Sequence, residues 1–251
     1  MTKHIHGGDV YKYDHCLDFS ANCNPLGTPQ SVKQAIIDSV EDLSDYPRVG
    51  CGPLKEAIAD YEHTKKISDL REWSCRPYFF PQQGIESKEG PSPAPTFAEY
   101  EQALVSVGCE ISRYYLKEEN DFCIQKDYPD VLKREKPDII FLCNPNNPTG
   151  ITIPQDLLEE ILETCAMQGI FMVVDECFLD FVKDPEKHTL KGKLEKYPGL
   201  FILKAFPKDM RSPVCVWAMD SVRTGKYLTG WRQSPSPGMC LPWHSRQEWQ
   251  H

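Results

Sequence analysis

The sequence predicts an α/β fold in which a mainly parallel sheet is covered by helices on both faces. Short apolar runs without the alternation of a half-exposed strand recur in the second half of the chain. Segments with helical spacing of apolar residues separate these runs, and loops rich in Pro, Asn or Gly close several of them. Strands that are apolar throughout and alternate with helices are typical of parallel sheets buried on both sides.

In the first half of the chain, two predicted helices precede a segment without pattern. Thr28 and Pro29 are typical of a helix start, and apolar residues then recur at helical spacing to about Leu43. A second helix is predicted from Pro53 to Tyr61, where four apolar residues share one face. Residues 67–90 show neither a helical nor a strand period.

Regular patterns return after this segment. We predict helices at 96–107, 130–135 and 157–165, and strands at 110–115, 138–142, 170–174 and 200–203.

The composition describes a folded, acidic protein. Of 251 residues, 40% are hydrophobic, and 28 Lys and Arg stand against 37 Asp and Glu, a net charge of −9. This charge disfavours a general nucleic-acid binder. No apolar run reaches the length of about 18 residues that a membrane helix needs, and the first residues lack the apolar core of a signal peptide. We therefore expect a cytoplasmic protein without nucleic-acid or membrane partners.

The cysteines predict neither a disulfide framework nor a zinc site. There are 11, at no regular spacing and with no Cys-x-x-Cys pair. His4 and His6 lack a third ligand nearby, so no metal site is expected.

Three polar features directly follow the last three predicted strands. They are Asn-Pro-Asn-Asn-Pro-Thr-Gly at 144–150, Asp-Glu-Cys-Phe at 175–178, and a segment with lysines at 204 and 208. Taken alone, these features are explained by a turn, a helix cap and exposed charges. Because parallel sheets bind ligands at the carboxyl ends of their strands, we expect an amide, a carboxylate and a lysine to meet in one crevice.

The Asn-Pro-Asn-Asn-Pro-Thr-Gly loop, followed after a helix and a strand by Val-Asp-Glu-Cys-Phe, resembles the pyridoxal phosphate (PLP) enzymes of fold type I in the class I/II aminotransferase superfamily. The resemblance covers roughly residues 4–66 and 91–208. It implies that Asn147 hydrogen-bonds the phenolic oxygen of the cofactor, that Asp175 pairs with its pyridine nitrogen, and that Phe178 lies beside the ring.

Family members bind the cofactor as an imine through a lysine that follows Ser or Thr. Lys208 fits this position best, although Pro207 replaces the usual hydroxyl residue, and Lys204 is the weaker candidate.

The amino-terminal motifs narrow the resemblance. The motifs His-Gly-Gly-Asp and Asp-Phe-Ser-Ala-Asn-Cys-Asn-Pro-Leu-Gly look most like threonine-phosphate decarboxylases of cobalamin biosynthesis, with histidinol-phosphate aminotransferases as near neighbours. In either family, His6, Gly7, Gly8 and Asn24 would lie over a phosphorylated amino-acid substrate, and the sequence around Asn24 would also form a turn. Tyr46 would reach the cofactor phosphate of the partner subunit in a homodimer.

The family's Gly-Asn-Gly-Ala loop, which holds the cofactor phosphate at a helix start, is missing. A shift of one nucleotide across residues 69–91 permits a reading with Cys-Gly-Asn-Gly-Ala-Ala, and Trp73, whose only codon is TGG, then becomes Gly. The other shifted frame permits Leu-Arg-Leu-Gly-Tyr-Gly in the tail, where the family places such a pattern after its lysine. We therefore interpret 67–90 and 209–251 as out of frame.

These patterns predict three parts and one leading function. Residues 1–45 form an arm and the first helix, 46–208 form the PLP-binding large domain, and 209–251 form an aberrant tail in place of a carboxy-terminal small domain. The leading hypothesis is a PLP-dependent enzyme that decarboxylates L-threonine O-3-phosphate, inactive as written if the frame is broken. The alternatives are a histidinol-phosphate aminotransferase and a non-catalytic remnant.

Overall fold

The computed structural model describes residues 17, 22, 24–40, 52–63, 69–71, 88–106, 108–205 and 216–220. Five α-helices are described: α1 (Gln30–Asp38), α2 (Gly52–Tyr61), α3 (Ala98–Ser106), α4 (Tyr128–Glu135) and α5 (Gln155–Gln168). The described strands are β1 (Asp69–Arg71), β2 (Lys88–Ala94), β3 (Glu110–Tyr115), β4 (Ile139–Cys143), β5 (Phe171–Asp175), β6 (Leu200–Ala205) and β7 (Val216–Asp220). Short 3-10 helices lie at Glu118–Asn120, Leu179–Phe181, Pro185–Lys187 and Lys191–Lys193.

The strands form one seven-stranded sheet in the order β1-β7-β6-β5-β4-β2-β3. Strands β2 to β6 run parallel, whereas β7 is antiparallel to both β6 and β1. The predicted α/β fold with a mainly parallel sheet is therefore confirmed. Because β4, β5 and β6 are neighbours and parallel, their carboxyl ends lie at the same edge of the sheet.

Helices cover both faces of the sheet, and the strand period of two assigns each core residue to one face. On one face, even-numbered residues of β4, β5 and β6 pack with residues from α2, α4 and α5. On the other face, odd-numbered residues of these strands pack against Tyr100 and Leu104 of α3. Burial on both sides explains why β4 and the first four residues of β5 are apolar.

Strand β2 is a feature that the sequence did not predict. Its sequence, Lys-Glu-Gly-Pro-Ser-Pro-Ala, has little of the composition of a strand. Gly90 explains part of its position, because a Cβ there would lie 2.6 Å from Pro137 Cγ and 2.7 Å from Ile140 Cγ2. The absence of a side chain thus lets the backbone of β2 approach β4 and its preceding loop.

The remaining predicted elements agree with the described ones to within a few residues at their ends. The exception is the first helix, which we expected to reach about Leu43 but which ends at Asp38, followed by a turn at Ser39. Two strands fall in segments without a predicted element: β1 in 67–90, and β7 in the tail 209–251. Among the described residues, no helix is long and apolar enough to cross a membrane.

Candidate active site

The candidate site lies at the carboxyl edge of the sheet, around the side chain of Asp175. This residue ends β5 and pairs in register with Cys143 of β4 and Leu203 of β6. As an odd-numbered residue it points to the face covered by α3, and it is only 4% exposed. Its Oδ1 accepts a hydrogen bond from the Cys177 backbone N–H at 2.9 Å. Its Oδ2 accepts one from the Tyr100 hydroxyl at 2.5 Å.

Tyr100 fixes the carboxylate from the opposite side. Its ring stacks on Phe141 of β4, with centroids 5.1 Å apart and planes at 18°, and meets Phe97 edge to face at 5.4 Å. Burial, together with the negative charge of Asp175, raises the pKa of the Tyr100 hydroxyl well above its ordinary value. The phenol therefore keeps its proton and acts as a donor. Two donors on two oxygens are the pattern expected of an ionised carboxylate.

Tyr100 is a residue of the site that was not predicted from the sequence. One signal for it exists: it lies three residues after Phe97, which directly precedes α3, and this spacing brings the two rings together at the start of the helix. That spacing does not predict the contact between Tyr100 and Asp175, which lie 75 positions apart in the chain.

Two asparagines of the loop after β4 hold the loop in place. Asn144 is fully buried; its Nδ2 donates to the His188 carbonyl and its Oδ1 accepts from the Ile153 N–H, both at 2.9 Å. Asn146 accepts a hydrogen bond from the Thr96 hydroxyl at 2.8 Å and donates to the Pro95 carbonyl at 3.0 Å. The loop after β4 is thereby joined to the turn before α3.

Asn147, the predicted ligand of the phenolic oxygen, lies in the same loop. Its side chain is half-buried, and it makes no side-chain hydrogen bond to any residue that the structure describes. It contrasts with Asn144 and Asn146, whose amides are both used within the protein. Phe178, three residues after Asp175, is also half-buried, with its ring 6.4 Å from that of Phe181.

Glu176 faces away from Asp175 and has a different function. Its carboxylate is buried and accepts hydrogen bonds from the Thr189 hydroxyl at 2.7 Å and the Leu190 N–H at 3.0 Å. Burial raises the pKa of this carboxyl to about 7, against the opposing effect of these hydrogen bonds and of the Lys204 charge. Glu176 thus fixes the connection between β5 and β6.

Lys204, the weaker candidate for cofactor attachment, lies on the other face of the sheet. It follows Leu203, which packs on the α3 face, so its own side chain points to the face of α2 and α5. Its Nζ lies 3.1 Å from Oε1 of Glu62, directly after α2. Asp175 and Lys204 therefore do not meet.

Several predicted site residues fall outside the described residues: His6, Gly7, Gly8, Tyr46 and Lys208. Asn24 is described, and it forms the predicted turn: its Oδ1 accepts a hydrogen bond from the Leu26 N–H at 2.9 Å, and its carbonyl accepts one from Gly27 N–H at 3.2 Å. Its place over a substrate stays a prediction. No group of three or more His, Cys, Asp or Glu suited to a metal ion occurs in the described part of the chain.

Comparison with known proteins places the site within a family. A model of the family "Aminotransferase class I and II" matches residues 88–214. This range includes β2 to β6, Tyr100, the loop after β4, and Asp175.

Individual relatives are similar to the chain over most of its length. The chain is 32% identical over 217 residues to a threonine-phosphate decarboxylase of Salmonella typhimurium, and the match covers 83% of this chain and 59% of that protein. It is 29% identical over 199 residues to a histidinol-phosphate aminotransferase of Methanosphaera stadtmanae, covering 77% and 52%. The chain thus spans between half and three fifths of the length of these curated relatives.

Among solved structures, the histidinol-phosphate aminotransferase of Clostridium acetobutylicum has a similar fold. The TM-score is 0.77 at 24% sequence identity, and the match covers 92% of this chain and 67% of that one.

Proposed function

Because the chain belongs to the aminotransferase class I and II family, we propose that it is a PLP-dependent enzyme acting on a phosphorylated amino acid. The reaction we propose is decarboxylation of L-threonine O-3-phosphate, a step of cobalamin biosynthesis that takes place in the cytoplasm. The observation that carries the proposal is the buried Asp175 carboxylate, held at the carboxyl end of β5 by Tyr100 and Cys177. The similarity to the Salmonella decarboxylase supports the choice of substrate.

The described residues fit the cofactor. A buried, doubly hydrogen-bonded carboxylate is suited to hold a proton on a pyridine nitrogen, as Asp175 would do. Asn147 has an amide that no described residue uses, which suits a phenolic oxygen. PLP, when bound, supplies an electron sink for the pair released when a bond to the substrate's α-carbon breaks. Asp175 would support that function by keeping the ring nitrogen charged.

The other residues have proposed roles in attachment and orientation. Lys208 would bind the cofactor covalently and be displaced by the amino group of the substrate. Phe178 would pack beside the ring. His6, Gly7, Gly8 and Asn24 would cover the substrate, and Tyr46 would contact the cofactor phosphate in the partner subunit.

The bond that breaks depends on how the substrate is held. Decarboxylation requires the bond to the carboxylate to stand perpendicular to the cofactor ring, and the residues that orient the substrate decide this.

The second candidate function is that of a histidinol-phosphate aminotransferase, favoured by the similarity to the Methanosphaera protein. Release of carbon dioxide from threonine phosphate, compared with amino transfer from histidinol phosphate to 2-oxoglutarate, separates the two. If threonine phosphate releases no carbon dioxide while histidinol phosphate loses its amino group, the decarboxylase assignment is wrong.

A non-catalytic remnant of such an enzyme is the alternative from another class. Adding PLP to the purified chain tests it, since covalent attachment to a lysine gives a visible absorbance band that borohydride abolishes. We expect the band, and we expect peptide mapping of the reduced protein to find the label on Lys208. Absence of the band would favour the remnant.

Asp175→Asn should lower turnover by at least about 100-fold, because it removes the charge that supports the electron sink.

We also propose a homodimer, and the outer surface of α1 supports it. Ile36 and Ile37 of α1 are exposed, and so is Val40, two residues beyond the end of this helix. Clustered apolar side chains of this kind are typical of interfaces. Ile37→Lys should shift the protein to a monomer in sedimentation equilibrium, because it places a charge in the interface. Met167→Lys, at an exposed position of α5, is the matched control and should leave the dimer intact.

A further inference from the structure

The loop between β4 and α5 is closed by hydrogen bonds of Asn146, the residue directly before Asn147. Its backbone N–H donates to the Ile151 carbonyl at 2.9 Å, and its own carbonyl accepts a hydrogen bond from the Gly150 N–H at 2.7 Å. Its side-chain Nδ2 donates to the Thr149 hydroxyl oxygen at 3.0 Å. Because the loop tip closes on this one residue, the conformation of Asn146 sets the place of Asn147.

The side chain of Asn146 also joins this loop to the turn before α3. The Thr96 hydroxyl donates to its Oδ1 at 2.8 Å, and its Nδ2 donates to the Pro95 carbonyl at 3.0 Å. These contacts connect parts of the chain that lie 50 and 51 positions apart. Thr96 therefore determines which way the Asn146 amide faces, because only the amide oxygen can accept the hydroxyl proton.

The turn that contains Thr96 leads into the helix that holds Asp175. Tyr100 lies four positions after Thr96 and donates to Asp175 at 2.5 Å. The start of α3 is thus hydrogen-bonded to Asp175 at the end of β5 and to the loop after β4, which carries Asn147. Strands β4 and β5 are neighbours in the sheet. The start of α3 therefore fixes the spacing between a carboxylate and an amide that would bind two different atoms of one cofactor ring.

We propose that Thr96 is a positioning residue: through Asn146, its hydroxyl holds the Asn147 amide where the phenolic oxygen of PLP can accept a hydrogen bond from it. The proposal rests on the proposed function, because Asn147 has this ligand only there. Thr96 itself has no contact with a reacting atom in this assignment. Without its hydroxyl, the Asn147 amide should keep its place for only part of the time, so the hydrogen bond to the phenolic oxygen should weaken.

The test measures the ionisation of the bound cofactor in the full chain loaded with PLP. The visible absorbance band is recorded against pH, and the midpoint of its change is the pKa of the chromophore. A hydrogen bond donated to the ionised phenolic oxygen lowers this pKa. Thr96→Val should therefore raise the midpoint by about 0.5 to 1 pH unit. Thr96→Ser keeps the hydroxyl and should stay within about 0.2 pH unit of the wild type.

Asn147→Ala shows the full size of the effect, because it removes the amide itself. It should raise the midpoint by about 1 pH unit or more. The double variant Thr96→Val with Asn147→Ala should shift the midpoint no further than Asn147→Ala alone, since Thr96 acts only through that amide. A threonine that merely stabilised the fold would not show this dependence.

Hydrogen exchange of the chain without PLP tests the loop itself. In Thr96→Val, the Asn146 and Gly150 amides should exchange at least about fivefold faster, because their hydrogen bonds close the loop tip. Ser112→Ala is the matched control: the Ser112 hydroxyl donates to Glu135 at 2.9 Å and joins β3 to α4 rather than to this loop. It should change neither the exchange of these two amides nor the pH midpoint. Circular dichroism establishes that each variant is folded, and if Thr96→Val is not, Thr96→Ala carries the comparison.

The outcomes distinguish the two proposals. If the wild-type chain shows the absorbance band and folded Thr96→Val has the same midpoint or the same loop exchange, the positioning role is overturned and the proposed function stays intact. A larger shift in the double variant than in Asn147→Ala also overturns it, because Thr96 would then act without the amide. An unchanged midpoint in Asn147→Ala overturns the positioning role together with the assigned role of Asn147. A wild-type chain without the band refutes the proposed function, and the positioning role with it.

Discussion

The buried hydrogen bond from the Tyr100 hydroxyl to Asp175 predicts the effect of a substitution on stability. Hydrogen bonds to charged groups contribute about 1.5–3 kcal/mol to stability. Tyr100→Phe leaves one oxygen of a buried carboxylate without its donor, so the free energy of unfolding in urea should fall by about that amount. Tyr115→Phe, at a position 69% exposed, is the matched control and should change it by less than about 0.5 kcal/mol. Equal losses in both variants would contradict the assigned contact.

Glu176 predicts a dependence of stability on pH. Burial raises its pKa in the folded protein to about 7, from an ordinary value of 4.5, so the folded state binds this proton more tightly than the unfolded state. Its contribution to stability is therefore complete below pH 4.5 and is lost as the pH rises through about 7. The loss amounts to about 3 kcal/mol at most.

Glu176→Gln should remove this decline. Measured between pH 5 and 8, the free energy of unfolding of the variant should fall less than that of the wild type, and Lys204 and Glu62 contribute the nearby charges in both. Glu118→Gln, at an exposed position, should retain the wild-type decline. Parallel pH profiles for wild type and Glu176→Gln would mean that this carboxyl is ionised in the folded state throughout the range.

The sequence predicts Asp175 and Asn147 as site residues, but it does not predict the residues that surround them in the structure. Asp175 ends β5 and Asn147 lies in the loop after β4, at the carboxyl ends of buried parallel strands where ligands bind, so position and residue type both favour a site. Tyr100 and Thr96 differ, because their partners are distant in the chain and the contacts arise only when the sheet assembles. The strand period alone predicts that Lys204 faces the side of the sheet away from Asp175, because neighbouring residues such as Leu203 and Lys204 point to opposite faces.

At the scale of elements, substitution of Gly90 by alanine tests the packing between β2 and β4. Gly90→Ala would place a Cβ 2.6 Å from Pro137 and 2.7 Å from Ile140. Overpacking of this kind costs about 1–3 kcal/mol, which denaturant unfolding would detect. Gly192→Ala is the matched control, because nothing lies within 4 Å of its Cβ position and we expect less than about 0.5 kcal/mol. A tolerated Gly90→Ala would show that β2 does not approach β4 so closely.

Strand β4 was predictable from the sequence, whereas strand β2 was not. Every residue of β4 is buried and apolar, so its run stands out without knowledge of its neighbours. Strand β2 contains Pro91 and Pro93 and is held by parallel neighbours on both sides. Its stability comes from those neighbours and from contacts such as the Tyr128 hydroxyl on the Pro91 carbonyl at 2.7 Å. None of these contacts has a local signature in the sequence.

At the scale of the whole molecule, the hypothesis of two frame errors stays a prediction with a direct test. Reading the DNA in all three frames across codons 66–92 and 205–251 should reveal Gly-Asn-Gly-Ala in one shifted frame and the Arg-containing pattern in the other. The frame-corrected protein should bind PLP at least about tenfold more tightly, because backbone N–H groups at a helix start hold a phosphate. Equilibrium dialysis of both proteins measures this difference. Shifted frames that spell neither pattern would refute the hypothesis.

The place of β1 in the sheet has a consequence for synthesis on the ribosome. Its described neighbour is β7, and the pairing joins Asp69 to Ala218. Strands β2 to β6 are complete once residue 205 has emerged, whereas β1 must wait for β7. Closing so long a loop is slow and leaves an unpaired strand edge in the meantime. The nascent chain should therefore require protection from aggregation until β7 has left the exit tunnel.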